Sequence, residues 1–175
     1  GCMRLQMNGD EIDYAEFCRM IDLFMESGFN YFDTAHGYIN EKSEPAVREC
    51  LVKRYDREAF VLANKLSDWF FETEADIVPL FEKQLAQCGV EYFDFYLFHC
   101  MTSKAYPKHQ RCRTFDIIRE LKEQGKIRHI GMSFHDNAEA LDYILSNQPE
   151  IEVVQLQINY VDWEDPNVQA HACYE

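Results

Sequence analysis

Strand-like and helix-like segments alternate along this entire sequence, and the alternation restricts the possible folds more than any other feature. Short apolar runs end at Asp33, Lys65, His99 and Ser133, and a further run covers residues 152–158. Between these runs, apolar side chains recur at the three- and four-residue spacing of amphipathic helices. Regular alternation of this kind predicts a parallel sheet whose strands are joined by right-handed helical crossovers.

Turn and capping residues set the predicted boundaries of these elements. We count five complete strands, the end of a sixth strand at residues 1–5, and a long loop over residues 100–112. Residues 8–10, Asn-Gly-Asp, are typical of a tight turn. Side chains that favour helix N-termini mark where the helices begin. The predicted caps are Asp13 with Glu16, Ser43, Thr73 with Asp76, Asp136 with Glu139, and Asp165 with Pro166.

The stretch from residue 30 to residue 44 carries the most informative chemistry. A short apolar run ends at Asp33, Tyr38 follows in a loop, and Lys42-Ser43-Glu44 opens a helix. Lys65 and His99 end the next two predicted strands. Because the carboxyl ends of parallel strands meet at one face of an α/β barrel, we expect these side chains to converge there.

Four motifs in one register resemble the aldo-keto reductase family. The motifs are FDTA at 32–35 with Tyr38 and KSE at 42–44, Lys65 closing the next strand, FDFYLFH at 93–99, and GKIRHIGMS at 125–133. The resemblance implies a TIM (β/α)8 barrel of the aldo-keto reductase type. It also implies an NADP(H)-dependent oxidoreductase that reduces an aldehyde or ketone, with NAD as an open alternative cofactor.

The length of the chain, 175 residues, is short for this fold. A complete barrel takes about 250 residues, so we expect one partial barrel domain over residues 1–175, with about six of the eight βα units and truncation at both ends. Unpaired strand edges would then allow self-association. Residues 1–5 and 133–136 resemble a bacterial branch of the family that carries a C-terminal iron–sulfur region. The resemblance implies such a cluster only in a longer polypeptide.

The resemblance assigns roles to the four strand-end and loop residues. Tyr38 is the expected general acid, and a tyrosine becomes a better proton donor when a nearby ammonium group stabilises tyrosinate. We expect Lys65 to provide that group and Asp33 to hold Lys65 by a charge-assisted hydrogen bond. His99, if neutral, would donate to the substrate oxygen. No side chain supplies hydride, so a nicotinamide cofactor is required.

The resemblance also assigns the nicotinamide carboxamide to Ser133 and Gln155. Family members usually carry Asn after this serine, whereas this chain has Phe134, which predicts a different contact near the ring. His135 is a candidate for the substrate mouth or for a capping or packing role. Trp69 is a candidate for the wall of the substrate pocket or for packing on the rim. The substrate is expected to be a small carbonyl compound.

The charge balance disfavours two classes of partner. The net charge is −14, from 31 acidic and 17 basic residues. Nucleic acids and anionic membrane surfaces both require a basic surface, so neither is an expected partner. No run approaches the roughly 18 apolar residues of a membrane span, and no signal peptide is visible. The seven cysteines form no C-x-x-C motif, which fits free thiols in the cytoplasm.

Three alternatives remain open from the sequence. A truncated barrel or binding module without a complete cofactor site would have no catalytic activity. A metal-dependent hydrolase would need several His or Asp ligands at strand ends, and only His99 is well placed. A Rossmann-type sheet would need G-x-G-x-x-G after a strand, and that motif is missing from the sequence.

Overall fold

The computed structural model describes residues 1–165 and 170–175. The strands are β1 Met7–Asn8, β2 Glu11–Ile12, β3 Tyr31–Asp33, β4 Val61–Ser67, β5 Phe93–Met101, β6 Ile127–Phe134 and β7 Val153–Gln155. The α-helices are α1 Tyr14–Glu26, α2 Ser43–Val47, α3 Ile77–Cys88, α4 Tyr106–Arg111, α5 Thr114–Glu123, α6 Ala138–Asn147 and α7 Ala170–Tyr174. A π-helical turn, Arg48–Val52, extends α2. Short 3-10 turns occur at Arg57–Ala59, Asp68–Phe70 and Glu74–Asp76.

The main sheet contains β3 to β7, hydrogen-bonded in the order of the sequence. All four strand pairs are parallel. A helical segment follows each of the first four strands and returns the chain to the same end of the sheet. The prediction of a parallel sheet with helical crossovers is therefore confirmed. Five such strands in sequence order form a part of an α/β barrel.

The strand register brings the predicted site residues to one end of the sheet. Asp33 lies beside Ala63 of β4, two residues before Lys65. Ser67 of β4 lies beside His99 of β5, and Ser133 of β6 lies beside Gln155 of β7. Because neighbouring strands are about 4.8 Å apart, side chains at these positions are within reach of one another.

The predicted strand at residues 1–5 is wrong. Within the described residues, the first part of the chain forms the antiparallel hairpin β1–β2, whose turn has Gly9 at φ +64°. The predicted turn over residues 8–10 is thus confirmed. The Cys2 amide donates to the Asp33 carbonyl at 2.7 Å. This one bond fixes the segment against β3, but a strand requires a continuing ladder.

The predicted loop over residues 100–112 is also corrected. Residues 106–111 form α4, and the side chains of Tyr106 and His109 are buried beneath it. Both rings contact Phe115 of α5, with centroids 5.7 Å and 6.2 Å away. Packing against α5 therefore stabilises a helix too short to show a clear periodic pattern.

Two of the predicted caps are confirmed at least in part. Asp13 accepts from the Glu16 amide at 2.9 Å, but the Glu16 carboxylate pairs with Arg19 and so does not close a capping box. Thr73 and Asp76 form the complete box before α3. The Asp165–Pro166 cap cannot be placed, because Pro166 lies outside the described residues.

Ser43 and Asp136 do not act as the predicted caps. Ser43 is the first residue of α2, and its hydroxyl donates to the Cys2 carbonyl at 2.8 Å. The Asp136 carboxylate instead accepts from the Ser103 amide and hydroxyl, at 2.8 and 2.6 Å. Asn137 caps α6 by accepting from the Ala140 amide at 2.9 Å. In both cases, the local sequence pattern predicts that the side chain caps a helix, but the side chain binds a partner distant in sequence instead.

Candidate active site

A cavity of about 190 Å³ opens at the carboxyl ends of β3 to β7. All six residues that the sequence predicts for the site lie on its wall, and three further residues complete it. The lining residues are Asp33, Tyr38, Lys65, His99, Ser133, His135, Gln155, Leu156 and Gln157. The structure thus brings the predicted residues together around one space.

Lys65 is the centre of the polar contacts in this cavity. Its side chain is 2% exposed, and its Nζ lies 2.6 Å from Asp33 Oδ2. The ammonium group donates hydrogen bonds to Tyr38 Oη at 3.1 Å and to the Thr34 carbonyl at 2.9 Å. One ion pair and two hydrogen bonds therefore fix the ammonium group. Lys65 is therefore held in one orientation, with one proton directed at the Tyr38 phenol.

The loop after β3 places Tyr38 above Lys65. The Tyr38 amide donates to the Ala35 carbonyl at 3.1 Å, which closes a tight turn. The next three residues, 39–41, have φ values of +52°, +52° and +66°. Side chains other than glycine rarely adopt this left-handed conformation, and such strain is concentrated at functional sites. The loop therefore holds the phenol at the cavity at some cost in backbone energy.

His99 is neutral near pH 7. Burial, the Lys65 ammonium group and His135 together lower the pKa of His99 to about 3, burial being the largest cause. The Nδ1 atom lies 2.6 Å from Ser67 Oγ. The imidazole ring is 5.7 Å from the Tyr38 ring and 5.0 Å from the Trp69 ring, measured between centroids. A neutral ring can donate or accept at the cavity according to its tautomer.

Ser133 is positioned by a bulge in β5. The register of β5 against β6 shifts between Phe98 and Met101, and Cys100 has φ +52°. The Cys100 amide donates to Ser133 Oγ at 2.9 Å. The Ser133 hydroxyl thereby receives a hydrogen bond and keeps its own proton for another acceptor. Bulges often direct side chains in this way next to active sites.

Strand alternation explains why Phe134 takes no part in the cavity. Side chains two residues apart in a strand face the same side of the sheet. Ser133 and His135 both line the cavity, whereas Phe134 is 2% exposed and belongs to the hydrophobic core. His135 therefore lies at the cavity, and its role at the substrate mouth stays a prediction. Trp69 is exposed and lies beside His99 at the rim.

A chain of buried polar side chains lies behind Lys65. The Glu44 carboxylate is 2.7 Å from His36 Nδ1 and accepts from Asn64 Nδ2 at 2.7 Å. Asn64 Oδ1 in turn accepts from the Lys65 amide at 2.8 Å. Gln84 donates to Asn64 Oδ1 and to the Lys65 carbonyl, at 3.1 and 3.0 Å. This network fixes the backbone on both sides of the Lys65 side chain.

Ser67 is not among the site residues predicted from the sequence, because no motif contains it. Alternation supplies the missing signal, because Ser67 is two residues after Lys65 and so faces the same side of β4. The adjacent register position, His99, completes the contact.

Within the described residues, neither the side-chain arrangement of a metal site nor a membrane-spanning helix is present. Within residues 1–165 and 170–175, no group of three His, Cys, Asp or Glu side chains is arranged to hold a metal ion. The seven cysteines are free thiols. In the same part of the chain, no helix has both the length and the apolar character needed to cross a membrane.

The sequence of this chain matches a known protein family. The sequence model of the Aldo/keto reductase family matches residues 1–174. An uncharacterised oxidoreductase of Schizosaccharomyces pombe is 33% identical over 138 residues, which are 69% of this chain and 41% of that protein. An NAD(P)H-dependent D-xylose reductase of Pyricularia oryzae is 37% identical over 87 residues, which are 47% of this chain and 26% of the relative.

The fold is similar to that of solved aldo-keto reductases. A Klebsiella pneumoniae aldo-keto reductase in complex with NADPH superimposes with a TM-score of 0.76 at 19% identity. The superposition covers 95% of this chain and 56% of that protein. The expected incomplete barrel of aldo-keto reductase type is thus confirmed. The chain spans less than half the length of each of the two curated relatives above.

Proposed function

Because the chain belongs to the aldo/keto reductase family, we propose that its cavity is the active site of an oxidoreductase that reduces a small aldehyde or ketone with NADP(H). One observation carries this proposal. The Lys65 ammonium group contacts both the Asp33 carboxylate and the Tyr38 hydroxyl at a cavity that also contains neutral His99. Carbonyl reduction needs a proton donor beside an oxygen site, and these residues are suited to provide it.

In the proposed mechanism, the substrate carbonyl oxygen lies between Tyr38 and His99. A nicotinamide cofactor, when bound, would supply the hydride for the carbonyl carbon. Tyr38 gives its phenolic proton to the oxygen, and the Lys65 ammonium group at 3.1 Å stabilises the tyrosinate that remains. The Asp33 carboxylate, 2.6 Å from Lys65 Nζ, keeps the ammonium group in place. Neutral His99 donates a hydrogen bond to the same oxygen and orients it.

Ser133 and Gln155 are the proposed contacts for the nicotinamide carboxamide. A carboxamide has an acceptor oxygen and a donor nitrogen, and a hydroxyl and a side-chain amide can satisfy both. Ser133 keeps a proton to donate, and Gln155 lies beside it across β6 and β7. The preference for NADP over NAD rests on the family and on the NADPH complex of the Klebsiella pneumoniae aldo-keto reductase. NAD remains an alternative that the test below separates.

The remaining expectations are proposals about the whole protein. We propose that residues 1–175 form one partial barrel domain and that the protein acts in the cytoplasm. An iron–sulfur cluster would require a longer polypeptide of the bacterial branch. A non-catalytic truncated barrel or binding module without a complete cofactor site is the rival proposal, and the test that follows is designed to distinguish it.

A fluorescence titration with NADPH and NADH tests the cofactor assignment. We expect saturable binding of NADPH by the complete polypeptide, with NADPH oxidation that depends on an added aldehyde or ketone. Ser133→Ala and Gln155→Ala should each weaken binding about tenfold, the equivalent of one lost hydrogen bond. Ser146→Ala, at an exposed position on α6, is the matched control and should bind as the wild type does. A folded protein that binds neither nucleotide would support the non-catalytic alternative.

A further inference from the structure

Two buried histidines each have a hydroxyl group beside Nδ1. Ser67 Oγ is 2.6 Å from His99 Nδ1, and Thr114 Oγ1 is 3.1 Å from His109 Nδ1. Heavy-atom positions do not show which partner carries the proton. The other contacts of each hydroxyl decide the question, because a buried hydroxyl that cannot donate its proton is unfavourable by about 1–3 kcal/mol.

Ser67 Oγ has one polar partner among the described residues. Its side chain is 1% exposed, so water does not receive its proton. Within the described part of the chain, His99 Nδ1 is the one hydrogen-bond partner of Ser67 Oγ. If Nδ1 carried a proton and donated it, the Ser67 proton would be buried without an acceptor. The favourable arrangement has Ser67 donating to an unprotonated Nδ1.

This arrangement determines the chemistry of the other ring nitrogen. A neutral imidazole has one protonated nitrogen, so an unprotonated Nδ1 requires a proton on Nε2. His99 lines the cavity beside Tyr38. Only the Nε2–H form can donate to a carbonyl oxygen there, since the opposite tautomer would present a lone pair to it.

We propose that Ser67 is a positioning residue that holds His99 as the Nε2–H tautomer, so that His99 donates to the substrate carbonyl oxygen. The inference rests on the proposed function for the identity of the acceptor. The tautomer itself depends only on the contact between Ser67 and His99.

The pair of His109 and Thr114 serves as a comparison, because its contacts favour the opposite tautomer, Nδ1–H. Thr114 Oγ1 also lies 3.3 Å from the His109 carbonyl, to which its hydroxyl donates. Thr114 Oγ1 is then free to accept from His109 Nδ1–H. His109 Nε2 is buried and has no hydrogen-bond partner in the described part of the chain, as fits an unprotonated nitrogen. Burial, with a smaller effect of Lys108, lowers the pKa of His109 to about 4, so this ring is also neutral at pH 7.

Long-range ¹H–¹⁵N correlation spectra at pH 7 test the assignment directly. The pattern of cross-peaks distinguishes the two neutral tautomers of each histidine. In the complete polypeptide we expect Nε2–H for His99 and Nδ1–H for His109. An Nδ1–H pattern for His99 would overturn the proposal. A clear Nε2–H pattern in a protein with no carbonyl reductase activity would leave the tautomer assignment intact and contradict the proposed function instead.

Variants at the two hydroxyl positions test the positioning role. Ser67→Ala should shift the His99 Nδ1 resonance and lower kcat/KM about tenfold, mainly through kcat, because one donor at the reacting oxygen is no longer held. Ser67→Thr keeps the hydroxyl and should restore the resonance and most of the rate. Thr114→Val is the matched control and should change the His109 signals only. An unchanged His99 spectrum and unchanged kinetics in Ser67→Ala would refute the positioning role.

Discussion

At the scale of single residues, the contacts of Lys65 and His99 define the site. Asp33, Lys65 and His99 lie at or near the carboxyl ends of successive strands, so their convergence follows from the strand pattern and from the family motif. The contacts of Lys65 do not follow from the sequence, since one of its acceptors is the backbone carbonyl of Thr34. Ser67 is a similar case, because its role depends on the exact register of β4 against β5.

The buried, neutral state of His99 predicts a pH dependence of stability. The pKa of His99 is about 3 in the folded chain, against an ordinary value of 6.5. Below pH 6.5 the unfolded chain binds a proton that the folded chain does not bind until the pH approaches 3. The free energy of unfolding therefore falls as the pH is lowered through this window.

Replacement of His99 by Gln should reduce this dependence. Below pH 6.5, His99 should lower the free energy of unfolding by about 1.4 kcal/mol for each pH unit. Between pH 7 and pH 5, this contribution should amount to about 2 kcal/mol. Urea unfolding of the wild type and His99→Gln at both pH values measures the difference. Equal losses in the two proteins would show that His99 is not the neutral, buried group described above.

At the scale of elements, prediction succeeds where a pattern is long and fails where it is short. Helix α1 and strands β4 to β6 have clear periodicity and appear where the sequence places them. Helix α4 has six residues and is stabilised by packing against α5, so no local pattern marks it. The caps at Ser43 and Asp136 fail because their side chains bind partners that are distant in sequence.

The Glu44 network behind β4 gives a prediction at this scale. Glu44 accepts from both His36 and Asn64, and Lys83 Nζ lies 3.2 Å from His36 Nε2, so His36 Nδ1 carries the proton that faces Glu44. Glu44→Gln places an NH2 group against one of these two donors. We expect a loss of roughly 1–3 kcal/mol in the free energy of unfolding, measured with urea.

Glu49→Gln is the matched control for this substitution. Glu49 makes the same type of contact, at 2.6 Å, with Lys53, but both side chains are exposed. An exposed pair contributes little, so the control should change the free energy of unfolding by less than about 0.5 kcal/mol. A loss of the same size in both variants would mean that the buried network has no special importance.

At the scale of the whole molecule, the barrel is open in the part of the chain that the structure describes. There, β3 pairs with β4 alone and β7 pairs with β6 alone. Large apolar side chains are exposed on α1 and around β3, and two of them, Phe24 and Phe29, stack with centroids 5.1 Å apart. The exposed set is Met20, Leu23, Phe24, Phe29 and Tyr31. Unpaired edges and apolar surface of this kind promote association.

We therefore expect the 175-residue chain by itself to self-associate. Sedimentation velocity should show a mass that rises with protein concentration. Leu23→Glu with Phe29→Glu should reduce the association, because two charges are placed within the apolar surface. Val78→Glu, at an exposed position on α3, is the control and should leave it unchanged. A monomer at all concentrations would contradict this prediction.

We propose that Tyr38, beside the Lys65 ammonium group, protonates a carbonyl oxygen. Single-turnover oxidation of bound NADPH, measured in the complete polypeptide with a reactive aldehyde, tests it most directly. Tyr38→Phe removes the proton and keeps the ring. We expect the rate of hydride transfer to fall by about 10²–10⁴, the usual contribution of a general acid, with NADPH affinity changed less than twofold. An unchanged rate in Tyr38→Phe would contradict the account.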